Sequence, residues 1–266
     1  MKIRYLPALK HSLTSLFSLL ILSSVTAQSP LISKVYEWNN LPVKGKNGTQ
    51  VRSILKGETR SLEMFEIKAV TLIGGYSIKE YKVKSGIDEL VIVKEGTAVI
   101  SVNDRSERLS EGSVVVASEG DVIKIMNGAK NDMTFYSFKF KPWETEGMPA
   151  TMTKSVPLMK EWRDIEFRTN ANGGRRDIMR QPVSFLKELE MHTTQLKEGL
   201  PSHSSHTHAD EEIILVRFGS VEESINGKPF QCGPGSVLFL TNDDDHGIRN
   251  IGAGPCEYYA IRWLTY

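Results

Sequence analysis

Short runs of β-branched and apolar residues, separated by turn residues, recur along the whole chain. In the first half these runs are residues 90–93, 98–102, 114–117, 122–125 and 134–140. In the second half they are residues 213–217, 221–225, 236–240 and 257–263. No long segment has the apolar period of a helix. Short, evenly spaced strands with Gly and Asn turns predict an all-β fold, either a sandwich or an antiparallel jelly roll.

The pattern occurs twice because the chain contains an internal repeat. A shift of 124 residues, which becomes 123 after one deleted loop residue, keeps turn and core positions in register. The matched pairs include Trp38 with Trp162, Arg52 with Arg176, Leu72 with Leu196, Glu89 with Glu212, Gly96 with Gly219, Asn103 with Asn226, Gly112 with Gly235, Asn127 with Asn250 and Tyr136 with Tyr259. We therefore expect two copies of one β domain, at residues 34–140 and 161–266. Residues 141–160 contain Pro142, Pro149 and Pro157 and are expected to form a linker.

The first 27 residues have the pattern of a secretory signal peptide. Lys2, Arg4 and Lys10 precede an apolar run at residues 16–22, and small residues lead up to Ala27. The apolar run is shorter than the roughly 20 residues that a membrane-spanning helix needs. We expect cleavage after Ala27, a periplasmic or secreted protein, and no membrane span in the mature chain.

Composition and charge narrow the classes of partner. The chain has 266 residues, 40% of them hydrophobic and 24% charged, which is ordinary for a soluble globular protein. Its formal net charge is +1, and loss of the three basic residues in the signal peptide lowers it to −2. A nearly neutral chain without a basic run gives no support for nucleic-acid binding. Cys232 and Cys256 either form a disulfide, which export permits, or are two buried thiols.

The most informative residues follow the start of the second repeat. His206, His208 and Glu212 carry even numbers, so on an extended chain their side chains would project to one face. The apolar run at 213–216 predicts that this chain is a buried strand. Two imidazoles and a carboxylate in an apolar interior are costly unless something binds them. A divalent metal ion is the simplest candidate, with His246 as a fourth ligand.

These residues resemble the two motifs of the cupin superfamily. The first is His-x-His-x3-Glu-x6-Gly at 206–219, and the second is Pro234-Gly235 followed by His246 and Asn250. The resemblance implies a tandem pair of antiparallel jelly-roll barrels, a bicupin, with a metal ion held by His206, His208, Glu212 and His246. Two features depart from the family pattern. The leading glycine, Gly199, lies one residue further away, and the acidic run at 242–245 replaces a proline-rich approach.

The two repeats differ in the residues that correspond to metal ligands. Val83, Ser85 and Ile123 stand where the second repeat has its three histidines, and Glu89 alone is kept. One carboxylate cannot hold a transition metal ion against water, so the N-terminal barrel is expected to lack a metal. Glu89 is then either an acid in an empty pocket or a remnant paired with a nearby cation.

Three nitrogen ligands and one oxygen ligand suit Mn, Fe, Ni, Co or Zn and leave coordination positions open. Most reactions at such an ion need a general acid or base, and the candidates are Glu190, His192, Tyr259 and Arg180. Arg217 and Arg262 are further candidates for holding a substrate carboxylate. His203 is a candidate for contact with a bound small molecule. Asn250 is expected to brace the turn that presents His246.

The resulting hypothesis is an exported, metal-dependent bicupin enzyme with one working site. Its small-molecule substrate would be an oxygenated metabolite such as a sugar acid, a phenol or a keto acid. The resemblance leaves dioxygenase, decarboxylase, isomerase and lyase chemistry open, because a fold does not determine a reaction. The alternative is a non-catalytic bicupin that uses its metal to bind a carbohydrate or another small molecule. Either protein could form a homodimer.

Overall fold

The computed structural model describes Met1 and residues 29–144 and 154–266, and the predicted signal peptide, Met1 apart, lies outside these residues. The first repeat contains strands β1 (Lys34–Tyr36), β2 (Val43–Lys46), β3 (Thr49–Gly57), β4 (Leu62–Leu72), β5 (Tyr81–Lys82), β6 (Asp88–Glu95), β7 (Thr97–Val102), β8 (Arg105–Ser110), β9 (Val114–Ser118), β10 (Val122–Asn127) and β11 (Met133–Pro142). The remaining strands are β12 (Leu158–Lys160), β13 (Arg168–Asn170), β14 (Gly173–Gln181), β15 (Glu188–Leu196), β16 (Glu211–Phe218), β17 (Val221–Ile225), β18 (Lys228–Cys232), β19 (Val237–Leu240), β20 (His246–Asn250) and β21 (Cys256–Leu264). The only helices in the described part are 3₁₀ turns at Trp38–Asn40 and Trp162–Asp164.

The strands form two jelly-roll barrels, which confirms the predicted all-β class. In the first barrel the large sheet has the order β12-β9-β6-β11-β4-β3-β2 and the small sheet β5-β10-β7-β8. In the second barrel the large sheet is β1-β19-β16-β21-β15-β14-β13 and the small sheet β18-β17-β20. Neighbouring strands are antiparallel throughout. Asn226 and Gly227 both have positive φ, 49° and 75°, as the tight hairpin between β17 and β18 requires.

The short strand that precedes each barrel in the sequence pairs with the large sheet of the other barrel. β1, which precedes the first barrel, pairs with β19 of the second, and β12 pairs with β9 of the first. The domain bounds expected from the sequence miss this exchange. Residues 34–36 belong to the C-terminal sheet, and residues 158–160 of the expected linker belong to the N-terminal sheet. Each exchanged strand satisfies backbone groups at the edge of the other barrel's large sheet.

The two large sheets also pack against each other around a shared aromatic core. Phe65 and Phe140 come from the first barrel and Trp263 from the second. Their ring centroids lie 4.9 Å apart for Phe65 and Trp263, and 5.3 Å apart for Phe140 and Trp263. Each barrel has a second apolar cluster in its own interior. The shared core means that the position of one barrel constrains the other.

We call the contact between the two large sheets the seam. Residues matched by the internal repeat make equivalent contacts across it. A Cβ atom on Gly235 would lie 2.8 Å from the Trp38 ring, and one on Gly112 would lie 2.5 Å from the Trp162 ring. The Tyr136 hydroxyl donates to the Gly235 carbonyl, and the Tyr259 hydroxyl donates to the Gly112 carbonyl. The candidate role of Tyr259 in catalysis is therefore wrong, because its hydroxyl is committed to the seam.

Glu89 in the first barrel is a partnered side chain. Its carboxylate accepts hydrogen bonds from the Tyr81 hydroxyl at 2.8 Å and from the Ser137 hydroxyl at 2.7 Å. The Lys139 ammonium lies 3.9 Å away. Of the two interpretations of Glu89, the structure supports the paired remnant.

Both cysteines, Cys232 and Cys256, lie among the described residues as buried free thiols, so the alternative of a disulfide is not realised. Burial raises the pKa of Cys232 to about 12 and that of Cys256 to about 11, so neither is a reactive thiolate at neutral pH. Across the described ranges, none of the helical segments has the length and hydropathy to cross a bilayer.

Candidate metal centre

The four expected ligands are brought together by the starts of two strands and by a loop. Glu212 lies near the beginning of β16, and His246 is the first residue of β20. His206 and His208 precede β16 and are not part of it, so the prediction of one continuous strand is wrong. An isolated antiparallel bridge between His206 and His246 aligns the loop instead. Backbone pairing with β20 therefore positions His206, which the expected continuous strand was to position.

The side chains of these residues converge. His206, His208 and His246 each offer a ring nitrogen within 4.8 Å of the others. The Glu212 Oε2 atom lies 3.2 Å from His208 Nε2 and 3.3 Å from His246 Nε2. Glu212 and His246 are buried, whereas His206 is open to the mouth of the site. Such a group of three imidazoles and a carboxylate could hold a divalent ion.

Backbone carbonyls fix which nitrogen of two imidazoles faces the centre. His246 Nδ1 lies 2.8 Å from the Asp244 carbonyl oxygen, and His208 Nδ1 lies 2.9 Å from that of Asp210. A carbonyl can only accept, so each Nδ1 carries the hydrogen. In the neutral rings Nε2 then carries a lone pair directed at Glu212. Hydrogen bonds of this kind orient histidines that bind metal ions.

A cation fits the centre because it would remove the electrostatic repulsion between electron-rich atoms that meet there. Two imidazole lone pairs and a carboxylate meet at one buried point, and His246 Nε2 has no hydrogen-bond partner of normal geometry in the described structure. Burial would raise the pKa of Glu212, but hydrogen-bond donation and positive charge at protonated His208 and His246 lower it to about 2. With both rings neutral, a bound cation would supply that positive charge instead. Glu212 is therefore an anion at neutral pH. Burial lowers the pKa of His206, and the neighbouring His203, His246 and His208 lower it further, which favours its neutral form.

The centre opens into a cavity of about 210 Å³ inside the second barrel. Its lining residues are Arg175, Glu190, His192, Thr194, Ser202, His203, His206, His208, Glu212, Ile214, Glu223, His246, Ile248, Tyr258, Ala260 and Arg262. Of the residues proposed from the sequence, Glu190, His192, His203 and Arg262 line this cavity. Arg180 does not: it is exposed and pairs with Glu188 at 3.2 Å. Arg217 lies in the seam, where it packs on Trp162 and pairs with Glu257.

Glu190 holds together the charged wall of the cavity. Its carboxylate contacts Arg262, and it lies 3.5 Å from Arg175 and 3.4 Å from His192. The nearby His192 ring lowers the pKa of Glu190 to about 2, with Arg262 adding to the effect and burial opposing it. Arg262 also lies 3.8 Å from Asp210, next to the metal centre in the chain. This network places two guanidinium groups at fixed positions beside the candidate ion.

Sequence reasoning missed one buried acid, Glu223. It lies on β17 with 1% of its surface exposed, and within the described part of the chain neither carboxylate oxygen has a hydrogen-bond partner of normal geometry. Burial raises its pKa to about 8; His246 opposes this rise, Glu212 adds to it, and the Gly247 N–H opposes it. The alternation of Val221, Glu223 and Ile225 as buried residues was the available signal.

Asn250 has a different role from the one expected. Its side-chain amide donates to the carbonyls of Leu196 and Gly254, and its carbonyl oxygen accepts from the Gly252 N–H. It therefore ties the turn after β20 to the end of β15, and it does not brace the turn before His246. The equivalent Asn127 makes the same contacts in the first barrel, so this is a feature of the repeated fold.

Comparisons with known proteins agree with this architecture. The family model "Cupin domain" matches residues 192–262. A crystal structure of protein Ylba from E. coli is 15% identical with a TM-score of 0.69, covering 90% of this chain and 95% of that one. An oxalate decarboxylase from Lactobacillus farciminis is 12% identical with a TM-score of 0.68, covering 91% and 89%. AerE from Microcystis aeruginosa is 12% identical with a TM-score of 0.63, covering 88% and 97%.

One curated protein resembles a short segment. The HTH-type transcriptional activator RhaS from Mannheimia succiniciproducens is 37% identical over 46 residues, which is 17% of this chain and 17% of that protein. The chain thus spans less than a fifth of that relative, whereas the likeness to the solved structures extends over both barrels. The C-terminal barrel is a cupin domain, and the chain as a whole has the fold of a two-domain cupin.

Proposed function

We propose that this protein is an exported, metal-dependent enzyme that converts a small oxygenated metabolite in its C-terminal barrel. The observation that carries the proposal is the meeting of the His208 and His246 Nε2 atoms with the Glu212 carboxylate at 3.2 and 3.3 Å. The carbonyls that hold the Nδ1 hydrogens leave these nitrogens free to bind a cation. His206 completes the proposed ligand set from the open side.

A bound divalent ion would supply Lewis-acid or redox chemistry at an oxygen-bearing group. The chain's own residues would bind and orient that group. Arg262 and Arg175 are positioned by Glu190 to neutralise an anionic oxygen. His192, which lies 3.4 Å from Glu190, is the candidate acid or base beside them. Substrates that fit are small acids such as sugar acids and keto acids, or phenols.

Titratable groups in the cavity favour an enzyme over a protein that only binds. Glu190, His192 and Glu223 all line the space next to the candidate ion. A pure binding site has no need for several groups able to transfer protons. The ligand set suits Mn, Fe, Ni, Co or Zn, with open positions for a substrate. The basic, then apolar, then small-residue pattern at residues 1–27 supports export.

The decisive experiment measures metal content. Wild-type protein, His208→Ala and His203→Ala are purified in parallel and analysed for transition metals. We expect about one equivalent in the wild type, a large loss in His208→Ala, and retention in His203→Ala, because His203 lines the cavity outside the ligand group. Equal content in all three proteins, or none in the wild type, would refute the metal centre.

Activity is then tested by incubating the metal-loaded protein with a panel of small acids and phenols while oxygen consumption and products are followed. Turnover that depends on His208 supports the enzyme. Binding without turnover across the panel would point to a non-catalytic bicupin.

A further inference from the structure

The two walls of the cavity carry different chemistry. On the large sheet, Glu212 lies opposite Arg262, Ile214 opposite Ala260 and Val216 opposite Tyr258 along β16 and β21. On β15, Glu190 pairs with Arg262 and Thr194 with Tyr258. The charged network is therefore at the Glu212 end of this wall, and hydroxyl groups are at the other. The opposite wall is the small sheet with β17 and β20.

Glu223 stands on that opposite wall and faces the cavity. On β17 it lies across from Ile248 of β20, one inward position beyond the pairing of Ile225 with His246. Glu223 and Ile248 both line the cavity next to His246. Its neighbour Glu222 points outward, where it pairs with Arg249 and Gln231. Alternation along the strand thus gives adjacent glutamates opposite environments.

The buried carboxyl of Glu223 lacks a hydrogen-bond partner of normal geometry among the described residues, which favours a role in ligand binding. A buried polar group without partners costs free energy, and such groups in native proteins usually have a functional reason. The Gly247 N–H acts on this carboxyl, but within the described structure neither oxygen has a hydrogen-bond partner of normal geometry. Burial raises the pKa of the Tyr258 hydroxyl, whereas the Ser202 and Thr194 hydroxyl groups act on it and lower its pKa. The candidate ligands are His206, His208, His246 and Glu212, and Glu223 makes none of the close contacts that join these four among the described residues.

The charge balance of the cavity favours an anionic ligand at the other end. A divalent ion with three neutral imidazoles and one carboxylate as ligands keeps a net positive charge. Arg175 and Arg262 beside it are already paired with Glu190, Asp177 and Asp210, so the surplus positive charge comes from the ion. A carboxylate is the natural group for that end. A hydroxyl group elsewhere in the same molecule could then donate to the Glu223 oxygens, whether or not Glu223 carries a proton.

We propose that Glu223 determines specificity by hydrogen-bonding a hydroxyl group of a small hydroxy acid whose carboxylate is bound at the metal centre. This rests on the proposed function and names its substrate class. Sites built to bind a hydroxyl group discriminate strongly against the analogue that lacks it, because their own polar groups are then left unpaired.

The test uses pairs of acids that differ only in hydroxyl groups: glycerate with propionate, and tartrate with succinate. Calorimetric titrations compare the Mn²⁺-loaded wild type with Glu223→Leu, which removes both oxygens, and Glu223→Gln, which keeps one acceptor. Glu222→Gln is the matched control from the outer face of the same strand. Metal content and thermal unfolding of every variant are measured first.

We expect the wild type to bind at least one hydroxy acid about tenfold more tightly than its partner. Glu223→Leu should lose this preference, and Glu223→Gln should keep part of it. The affinity for propionate and succinate, the Mn²⁺ content, and the behaviour of Glu222→Gln should stay unchanged. Glu223→Leu should also unfold at a higher temperature, since an unpaired buried carboxyl is removed.

Three results would overturn the proposal. One is the same preference in the wild type and in Glu223→Leu. Another is the absence of any preference in the wild type, including no binding of either member of both pairs. The third is loss of Mn²⁺ from Glu223→Gln, which would make Glu223 a metal ligand. A wild type that fails to take up Mn²⁺ refutes the metal centre itself, and the metal analysis separates that failure from the others.

Discussion

Glu211 and Glu212 are adjacent on β16 and serve opposite sides of the large sheet. Glu212 faces the metal centre. Glu211 faces the seam, where its carboxylate accepts hydrogen bonds from the Thr59 hydroxyl, the Arg60 N–H and the Ser61 hydroxyl. Ser61 in turn accepts from the Trp263 indole at 2.9 Å. The first barrel therefore positions the strand that carries a candidate metal ligand, although it has no equivalent set of histidines itself.

Replacing Glu211 tests this connection. Glu211→Gln keeps the shape but loses the anion and places an amide donor among hydrogen-bond donors, so the free energy of unfolding should fall by about 1–3 kcal/mol. Urea denaturation followed by tryptophan fluorescence measures the change. Glu111→Gln is the control, because Glu111 is an exposed partner of Arg217 at 3.5 Å. A Glu211→Gln protein as stable as the wild type would contradict a structural role for the contact.

The seam glycines give a second prediction. Gly235 has φ of 87°, and a methyl group there would meet the Trp38 ring at 2.8 Å. Gly227 has φ of 75°, but a methyl group there would meet nothing within 4 Å. Gly227→Ala should cost about 1–2 kcal/mol for the left-handed backbone alone. Gly235→Ala should cost about 1–3 kcal/mol more, for overpacking against Trp38.

Urea denaturation of both alanine variants separates these two causes. Equal losses in Gly235→Ala and Gly227→Ala would mean that the packing of Trp38 contributes nothing measurable at this position.

Local patterns carried most of the fold information in the sequence. Turn chemistry at Asn226-Gly227 and the match between the repeats are short-range signals, and the structure realises them as tight turns and equivalent seam contacts. The exchange of β1 and β12 was not visible, because a three-residue strand fits the edge of either barrel equally well by pattern. Long-range contacts distinguish the two options, among them the packing of Trp38 on Gly235 and of Trp162 on Gly112.

The candidate site was predictable for the residues that belong to a motif and not for the others. Spacing singled out His206, His208, Glu212 and His246, although backbone pairing with β20 aligns the loop that was expected to be a strand. Tyr258 lines the cavity and Tyr259 faces the seam, and the pattern of β21 alone does not indicate which of the two faces inward. Glu223 was missed because one acid among apolar alternating residues has no motif.

Glu190 gives a prediction about pH. Its pKa is lowered to about 2, first by His192 and then by Arg262, so its charged form stabilises the folded protein. A lowered pKa means that this contribution is present above about pH 4.5 and is lost as the pH falls toward 2. Glu190→Gln should therefore be less stable than the wild type at pH 7, and the difference should shrink below pH 4.5.

Urea denaturation at pH 7, 5, 4 and 3 measures this trend, with Glu95→Gln as a control from the exposed end of β6. A difference between Glu190→Gln and the wild type that stays constant or grows as the pH falls would contradict the sign of the effect.

The metal centre predicts a stability that depends on chelation. An ion that binds only the folded form adds about 2.7 kcal/mol when its free concentration is 100 times the dissociation constant. EDTA should then lower the melting temperature of the metal-loaded wild type by about 5 °C or more. His246→Ala should show no such response, because the buried Nε2 atom that faces Glu212 is gone. His203→Ala should respond as the wild type does, since the His203 ring packs edge-to-face against His206, with centroids 4.3 Å apart, and does not join the ligand group. Melting curves with and without EDTA, followed by re-addition of Mn²⁺, distinguish loss of the ion from irreversible unfolding. An equal response to EDTA in His246→Ala and the wild type would place the chelated ion elsewhere in the protein.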